Sequence, residues 1–193
     1  GHEEAYAELT TLLNRLEAWE QLFEVMNFRV EAMPEEDQKQ MFLDMAEVAR
    51  KLGDTSRRID ALEAADQFDT TDLDVVEPLL DAAIDGGHFD RAEPLLEEVI
   101  ESLTEKRRMK EVVRFYHLRG KLAEQRGDED AALEAFESAR KIDATYVPNL
   151  LSLGKLLYRR EDWDSALKIL QTLLLHQMSI KDNQDKLDMY YYL

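Results

Sequence analysis

Residues 113–142, VRFYHLRGKLAEQRGDEDAALEAFESARKI, and residues 147–176, VPNLLSLGKLLYRREDWDSALKILQTLLLH, superimpose at an offset of 34. Tyr116 falls on Leu150, Gly120 on Gly154, Ala123 on Leu157 and Gly127 on Glu161. Further along, Asp128 meets Asp162, Ala132 meets Ala166, Phe136 meets Leu170 and Ala139 meets Leu173. Small residues meet small ones and apolar residues meet apolar ones, so the chain repeats a structural unit. Within each copy the spacing is helical. Leu133, Phe136, Ala139 and Ile142 recur at three-residue steps, and Leu150, Leu153, Leu156 and Leu157 make one apolar stripe. No stretch alternates apolar and polar residues long enough to predict a strand.

The same register continues upstream with altered spacing. Forty residues earlier the columns hold Val76, Ala83, Gly87, Ala92, Leu96 and Val99; 34 before those come Phe42, Ala46, Ala49, Gly53, Leu62 and Ala65. Another 36 back, Tyr6, Leu13, Leu22 and Met26 fit more loosely. The pattern predicts five helix pairs and the first helix of a sixth, whose opening columns suit Tyr190 and Leu193. Two spacings exceed 34, which predicts extra turns in the helices around 100–113 and 175–186. The terminal Tyr190-Tyr191-Tyr192-Leu193 reads as mid-helix, so the expectation is a piece of a longer repeat protein.

Turn chemistry supports the pairing independently. Leu52-Gly53-Asp54 and Arg126-Gly127-Asp128 each place Gly just past a helix, where the left-handed conformation ends it without a Cβ penalty. The following Asp can cap the next helix by accepting from its free amides, and Asp162 and Asp90 have the same opportunity. With Asp74 and Asp90 as caps, Pro78 and Pro94 would fall in first turns, where no intrahelical bond is lost. Pro34 and Pro148 mark helix starts at junctions between pairs. The Arg126-Gly127-Asp128 tripeptide is accounted for by this joint and not by cell adhesion.

At these columns the chain resembles the tetratricopeptide repeat. The strongest match is 113–146, with Tyr116, Gly120, Gly127, Ala132, Phe136 and Ala139; next comes 147–180, with Leu150, Leu153, Gly154, Leu157, Ala166 and Leu170. Upstream units depart from the pattern: Arg58 stands in the Ala132 column, Leu80 in the Gly120 column and Glu17 in the Gly127 column. The resemblance implies an all-α chain, a right-handed TPR-like α-solenoid of antiparallel helix pairs. It would form a single domain over 3–193, with units 3–34, 35–70, 71–106, 107–146, 147–180 and a partial 181–193. Gly120 and Gly154 would let paired helices approach closely, with Ala132 and Ala166 filling the space and Phe136 or Leu170 packing on the next pair.

Composition narrows the chemistry. The chain lacks Cys, which excludes thiolate zinc sites and cysteine nucleophiles and fits a reducing, cytoplasmic setting. No apolar run approaches the roughly 18–20 residues of a membrane span. Gly1-His2 reads as a tag remnant. The net charge of −18 is uneven: residues 3–103 carry 27 acidic and 8 basic side chains, and residues 104–193 carry 15 and 16. The first half therefore repels nucleic acid and anionic membrane, and favours basic partners.

Catalysis needs titratable groups held together in a pocket, but the carboxylates here, including Glu35-Glu36-Asp37 and Glu97-Glu98, fall on polar helix faces. His88, His117 and His176 have no ligand partner at helical spacing. His88 reads as a turn residue and His117 as facing the groove. There is no phosphate loop, dinucleotide fingerprint or nucleophile elbow. The reading is a non-enzyme without metal or cofactor. The cationic run Lys106, Arg107, Arg108, Lys110 and Arg114, extended by Arg119, Lys121 and Arg126, lacks free stacking partners because Tyr116 is claimed by the core. It fits an acidic protein partner, or the chain's own acidic half, better than nucleic acid.

The resemblance further implies a concave face built from first helices that accepts a peptide or protein segment. By column its lining is Arg114, His117, Lys121, Glu124 and Gln125, then Ser152, Lys155, Tyr158 and Arg159. A mode known in the family clamps a terminal carboxylate with Lys, Asn and Arg. Lys121, Lys155 and Arg159 supply cations, but Lys121 stands where Asn is wanted. The functional expectation is a protein–protein interaction scaffold. The alternatives are a structural spacer or self-association segment of a longer solenoid, with a homodimer formed through the terminal helix, and a regulatory domain of a larger enzyme.

Overall fold

A computed structural model describes residues 2–176 and 183–192. These contain eleven helices and no strands. In chain order they are α1 (His2–Arg15), α2 (Trp19–Val30), α3 (Glu35–Leu52), α4 (Thr55–Asp66), α5 (Leu73–Asp85), α6 (Phe89–Glu105), α7 (Met109–Gln125), α8 (Glu129–Ile142), α9 (Val147–Arg159), α10 (Trp163–Leu175) and α11 (Asn183–Tyr192). Each predicted first and second helix is present in the described residues. The chain divides into two compact units, residues 1–86 and 87–193, at the turn between α5 and α6.

In the second unit α7 packs on α8, α9 on α10, and the first helices α7, α9 and α11 lie side by side in that order. The tightest joint is at Gly120. A Cβ there would sit 2.2 Å from the Phe136 ring, closer than any real contact permits. Phe136 is fully buried in that notch and so packs first on its own pair. Its ring also belongs to the apolar cluster that includes Leu150 and Leu153 of α9, the packing on the next pair that the columns predict. Gly154 repeats the joint less tightly, with Leu170 Cδ2 2.9 Å from where a Cβ would stand. Asn149, fully buried, donates from Nδ2 to the Phe136 carbonyl at 2.9 Å and ties the start of α9 to α8.

The 40-residue spacing has a simple origin. α6 and α7 each have 17 residues, against 14 in α8 and 13 in α9. The extra length falls at the α6 C-terminus and the α7 N-terminus, as predicted around 100–113. The corresponding expectation for 175–186 lies largely outside the described residues, as does Leu193.

In the first unit α1 packs on α2, α2 on α3, α3 on α4 and α4 on α5. Ala46 and Leu62 occupy the notch and filler columns of α3 and α4, and both are buried. Leu80 is buried despite its bulk, and Arg58 is only half-buried.

Helix ends follow the predicted chemistry in most places. Gly53 and Gly127 adopt φ of 72° and 79°, and the next amides, of Asp54 and Asp128, bond back to Ala49 and Ala123 carbonyls five residues earlier. Asp54, Asp128 and Asp162 accept from the amides of Arg57, Ala131 and Ser165. Glu17 and Glu161 take the same left-handed turn without being Gly, at φ 52° and 61°. Pro34 and Pro148 stand at the starts of α3 and α9.

Two cap assignments are corrected. Asp72, not Asp74, caps α5, accepting from the Asp74 amide at 3.0 Å; His88 takes the cap position of α6 without a side-chain bond, leaving Asp90 in the first turn. Pro78 and Pro94 are consequently the sixth residues of their helices, past the first turn. The carbonyls they leave without an amide belong to Asp74 and Asp90, both exposed, so water can take the lost bonds.

Gly120→Ala should destabilise the chain by about 1–3 kcal/mol through overpacking, against a helix-propensity gain of about 1 kcal/mol. Adding Phe136→Leu should recover part of that loss, and Gly154→Ala should be milder because the end of a flexible Leu side chain can move. Denaturant titration checks all three. Glu161→Gly should raise stability by about 0.5–1 kcal/mol by relieving a left-handed non-glycine residue, measured in the same way.

Candidate peptide-binding face

The nine residues expected to line the groove all belong to α7 and α9 and lie in the second unit. On α7, Arg114, Lys121 and Glu124 are half-buried and Gln125 is exposed. On α9, Ser152 and Lys155 are half-buried, while Tyr158 and Arg159 are exposed. Lys121 and Lys155 hold the same column on neighbouring helices, so their positive charges run across the helix axes. Arg159 pairs with Glu124 and lies 3.9 Å from Glu129, which fixes the α9 terminus against α7 and α8. The Arg114 guanidinium carbon stands 5.2 Å from the Phe115 ring centroid.

His117 is placed differently. It is only 8% exposed, with Phe136 at 5.7 Å and Tyr146 at 5.9 Å between ring centroids. The ring is part of the packing behind the face and presents little surface to a ligand. Its neighbour Tyr116 is also less buried than expected. Phe115 is fully buried, whereas Tyr116 is half-buried and lines a 220 Å3 cleft with Arg119 and Glu134. Consecutive residues stand about 100° apart on a helix, so the two rings meet different neighbours, and Tyr116 lies at the edge of the α7–α8 joint beside Ala131 and Ala135.

An aromatic group beside the face is not evident from the repeat columns. Tyr158 makes edge contacts with Trp163 and Tyr192, each at 4.9 Å, and Tyr191 meets Tyr192 at 5.0 Å. Trp163 and Tyr191 remain exposed. Trp163 opening a helix on its polar side was the available signal.

Two members of the basic run, Arg108 and Arg126, are held in ion pairs. Arg108 pairs with Glu111, and Arg126 makes a two-pronged contact with Glu93 at 2.7 and 2.8 Å. Arg160 reaches Asp130 at 2.7 Å. The Arg126 and Arg108 guanidiniums, through these hydrogen bonds, hold the Glu93 and Glu111 carboxyls below the usual carboxylate range. In the first unit Lys39 does the same for Asp72, and Arg50 for Glu47.

Residues 79–147 and 123–179 each match a tetratricopeptide-repeat family model. The chain belongs to the tetratricopeptide-repeat family. Its fold is also that of solved tetratricopeptide-like solenoids. MamA (41-end) from Desulfovibrio magneticus RS-1 superimposes with a TM-score of 0.64 at 16% identity, covering 93% of this chain and 97% of that one. PilF of Pseudomonas aeruginosa gives 0.63 at 14% identity, covering 98% and 87%. BtubC from P. vanneervenii gives 0.66 at 15%, covering 93% and 82%. No curated protein matches the chain in sequence. Among the described residues no helix is long and apolar enough to cross a membrane. The tetratricopeptide architecture is that of a protein-interaction scaffold.

The ion pairs set a pH response. Carboxyls held low when folded contribute fully above the ordinary range, and that contribution is lost as pH falls through their lowered values. The net charge of −18 acts in the opposite direction, because protonating solvated carboxylates relieves repulsion. Thermal unfolding should therefore show a stability maximum near about pH 5–6 and a steep fall below about pH 4. Added salt should flatten the rise between neutral pH and the maximum.

Proposed function

We propose that this tetratricopeptide-repeat protein is a non-catalytic scaffold whose α7–α9 face binds an acidic or carboxylate-ended segment of a partner protein. The observation that carries the reading is the alignment of Lys121 and Lys155 on adjacent first helices, with Arg159 at the next turn bracing the end of α9 through Glu124. A chain with so large a negative charge that nevertheless gathers cations in matching columns favours an anionic ligand there. Ser152 adds a hydroxyl, and Tyr158 adds an aromatic edge for the apolar part of a peptide. The missing Asn of the family's carboxylate clamp argues for looser recognition, dominated by charge. His117 supports the face from behind by packing on Phe136. The lack of Cys supports a cytoplasmic setting for such an adaptor.

A second reading, self-association, is favoured by the apolar surface on α10 and α11. Trp163, Leu167, Leu187, Tyr190 and Tyr191 are all exposed there. A homodimer joined through these helices would cover them. Mass by light scattering across a dilution series distinguishes the two, since a scaffold acting alone keeps its monomer mass.

The test of the first reading is the double variant Lys121→Glu and Lys155→Glu, which leaves the Arg159 brace in place. Fluorescence titration with a short Glu/Asp-rich peptide ending in a free carboxylate should show affinity falling at least about tenfold, with binding also weakening as salt rises. Equal affinity in the variant, with its helical circular dichroism intact, would refute the reading.

A further inference from the structure

The unit of residues 1–86 contains a recess of its own. α1, α2 and α3 enclose an open slot of about 410 Å3, within the usual range of ligand sites. Its floor is Leu22, Met26, Met41 and Val48, each less than a tenth exposed. Two of these are thioethers, which adapt to side chains of different shape more readily than branched residues do. Tyr6 spans the slot and donates its hydroxyl to Met41 Sδ at 3.6 Å, so the recess is framed by both first helices.

The rim is polar and its cation is engaged. Lys51 holds its ammonium 4.4 Å from the Trp19 ring centroid, and Glu47 is held by Arg50 at 2.7 and 2.8 Å. Asp44 accepts from the neutral amide of Gln40 at 2.9 Å, a bond that does not cancel its charge. Around it, residues 1–86 carry 22 Asp and Glu against 7 Lys and Arg. An apolar floor beside an ionised carboxylate, in a strongly negative unit, selects a ligand that is apolar at one point and cationic next to it.

We propose that this slot receives one large apolar side chain of a basic peptide segment, with Asp44 pairing the Lys or Arg beside that anchor. The site is separate from the α7–α9 face and has the opposite charge preference. It would let one chain hold two segments of unlike chemistry. It rests on the scaffold reading only in taking a peptide as ligand.

The experiment is methyl NMR on the full chain carrying 13C-methyl methionine, titrated with the amidated, acetylated peptide Lys-Lys-Leu-Lys-Lys. The Met26 and Met41 methyls should shift, while Met109, in the other unit, should not. Replacing the peptide Leu by Gly should weaken binding roughly tenfold, the worth of one buried apolar side chain. Thr11→Trp, an exposed rim position, should plug the slot and abolish the shifts. Asp44→Asn should weaken binding about two- to fivefold. The Lys121→Glu and Lys155→Glu double variant should bind this peptide normally, so failure here and failure of the α7–α9 reading are distinguishable. Unmoved Met26 and Met41, a glycine peptide that binds as tightly, or unaltered affinity in Thr11→Trp would each overturn the proposal.

Discussion

The missing side chains at Gly120 and Gly154 govern the second unit. Two antiparallel helices can approach until the Phe136 ring, or the Leu170 side chain, fills the gap a Cβ would have occupied. That approach brings Ala132 and Ala166 into the core with almost no exposure, and it leaves Lys121 and Lys155 half-buried on α7 and α9. Asn149 then adds a directional constraint to a packing arrangement that is otherwise apolar. Its bond to the Phe136 carbonyl fixes the next pair to the residue that closes the preceding one. Packing within a pair and docking between pairs thus share one residue. This is why the face presents Lys121 and Lys155 in register.

The degenerate upstream units reach a similar end by different means. Ala46 substitutes for Gly in the notch and Leu62 for Phe as filler, a pair of similar total volume that closes the core. Where Gly is absent from a turn, Glu17 accepts the left-handed conformation, and α1, α2 and α3 leave a recess where a tighter unit would have packed shut. The negative charge concentrated in this unit opposes compaction and is offset locally by pairs such as Lys39 with Asp72 and Arg57 with Glu20.

Much of this was legible from the residues. A 34-residue self-match, Gly-Asp turns and three-residue apolar spacing determine the number, order and pairing of helices, because each reflects backbone geometry that only a few residue types satisfy. The spacing of 40 even located the lengthened α6 and α7. What the columns could not resolve was how deeply each position is buried. Phe115 and Tyr116 are consecutive apolar residues, and which faces the core depends on packing across the pair. The same ambiguity put His117 on the groove, when it lies behind it against Phe136. Cap positions were uncertain by two residues around Asp72 and Asp74, since either Asp can accept from early amides. That shift moved Pro78 inside its helix. The aromatic contacts among Tyr158, Trp163 and Tyr192 join three helices and leave no trace in any one repeat.

The most direct measurement is amide NMR mapping of the full chain with a Glu/Asp-rich peptide bearing a free terminal carboxylate. If the notch-closed pairs present a cationic ligand face, the perturbed amides will concentrate on α7 and α9 around Lys121, Lys155 and Arg159. The amides of α1 to α4 will stay in place. Shifts scattered over the chain, or confined to α10 and α11, would contradict the account.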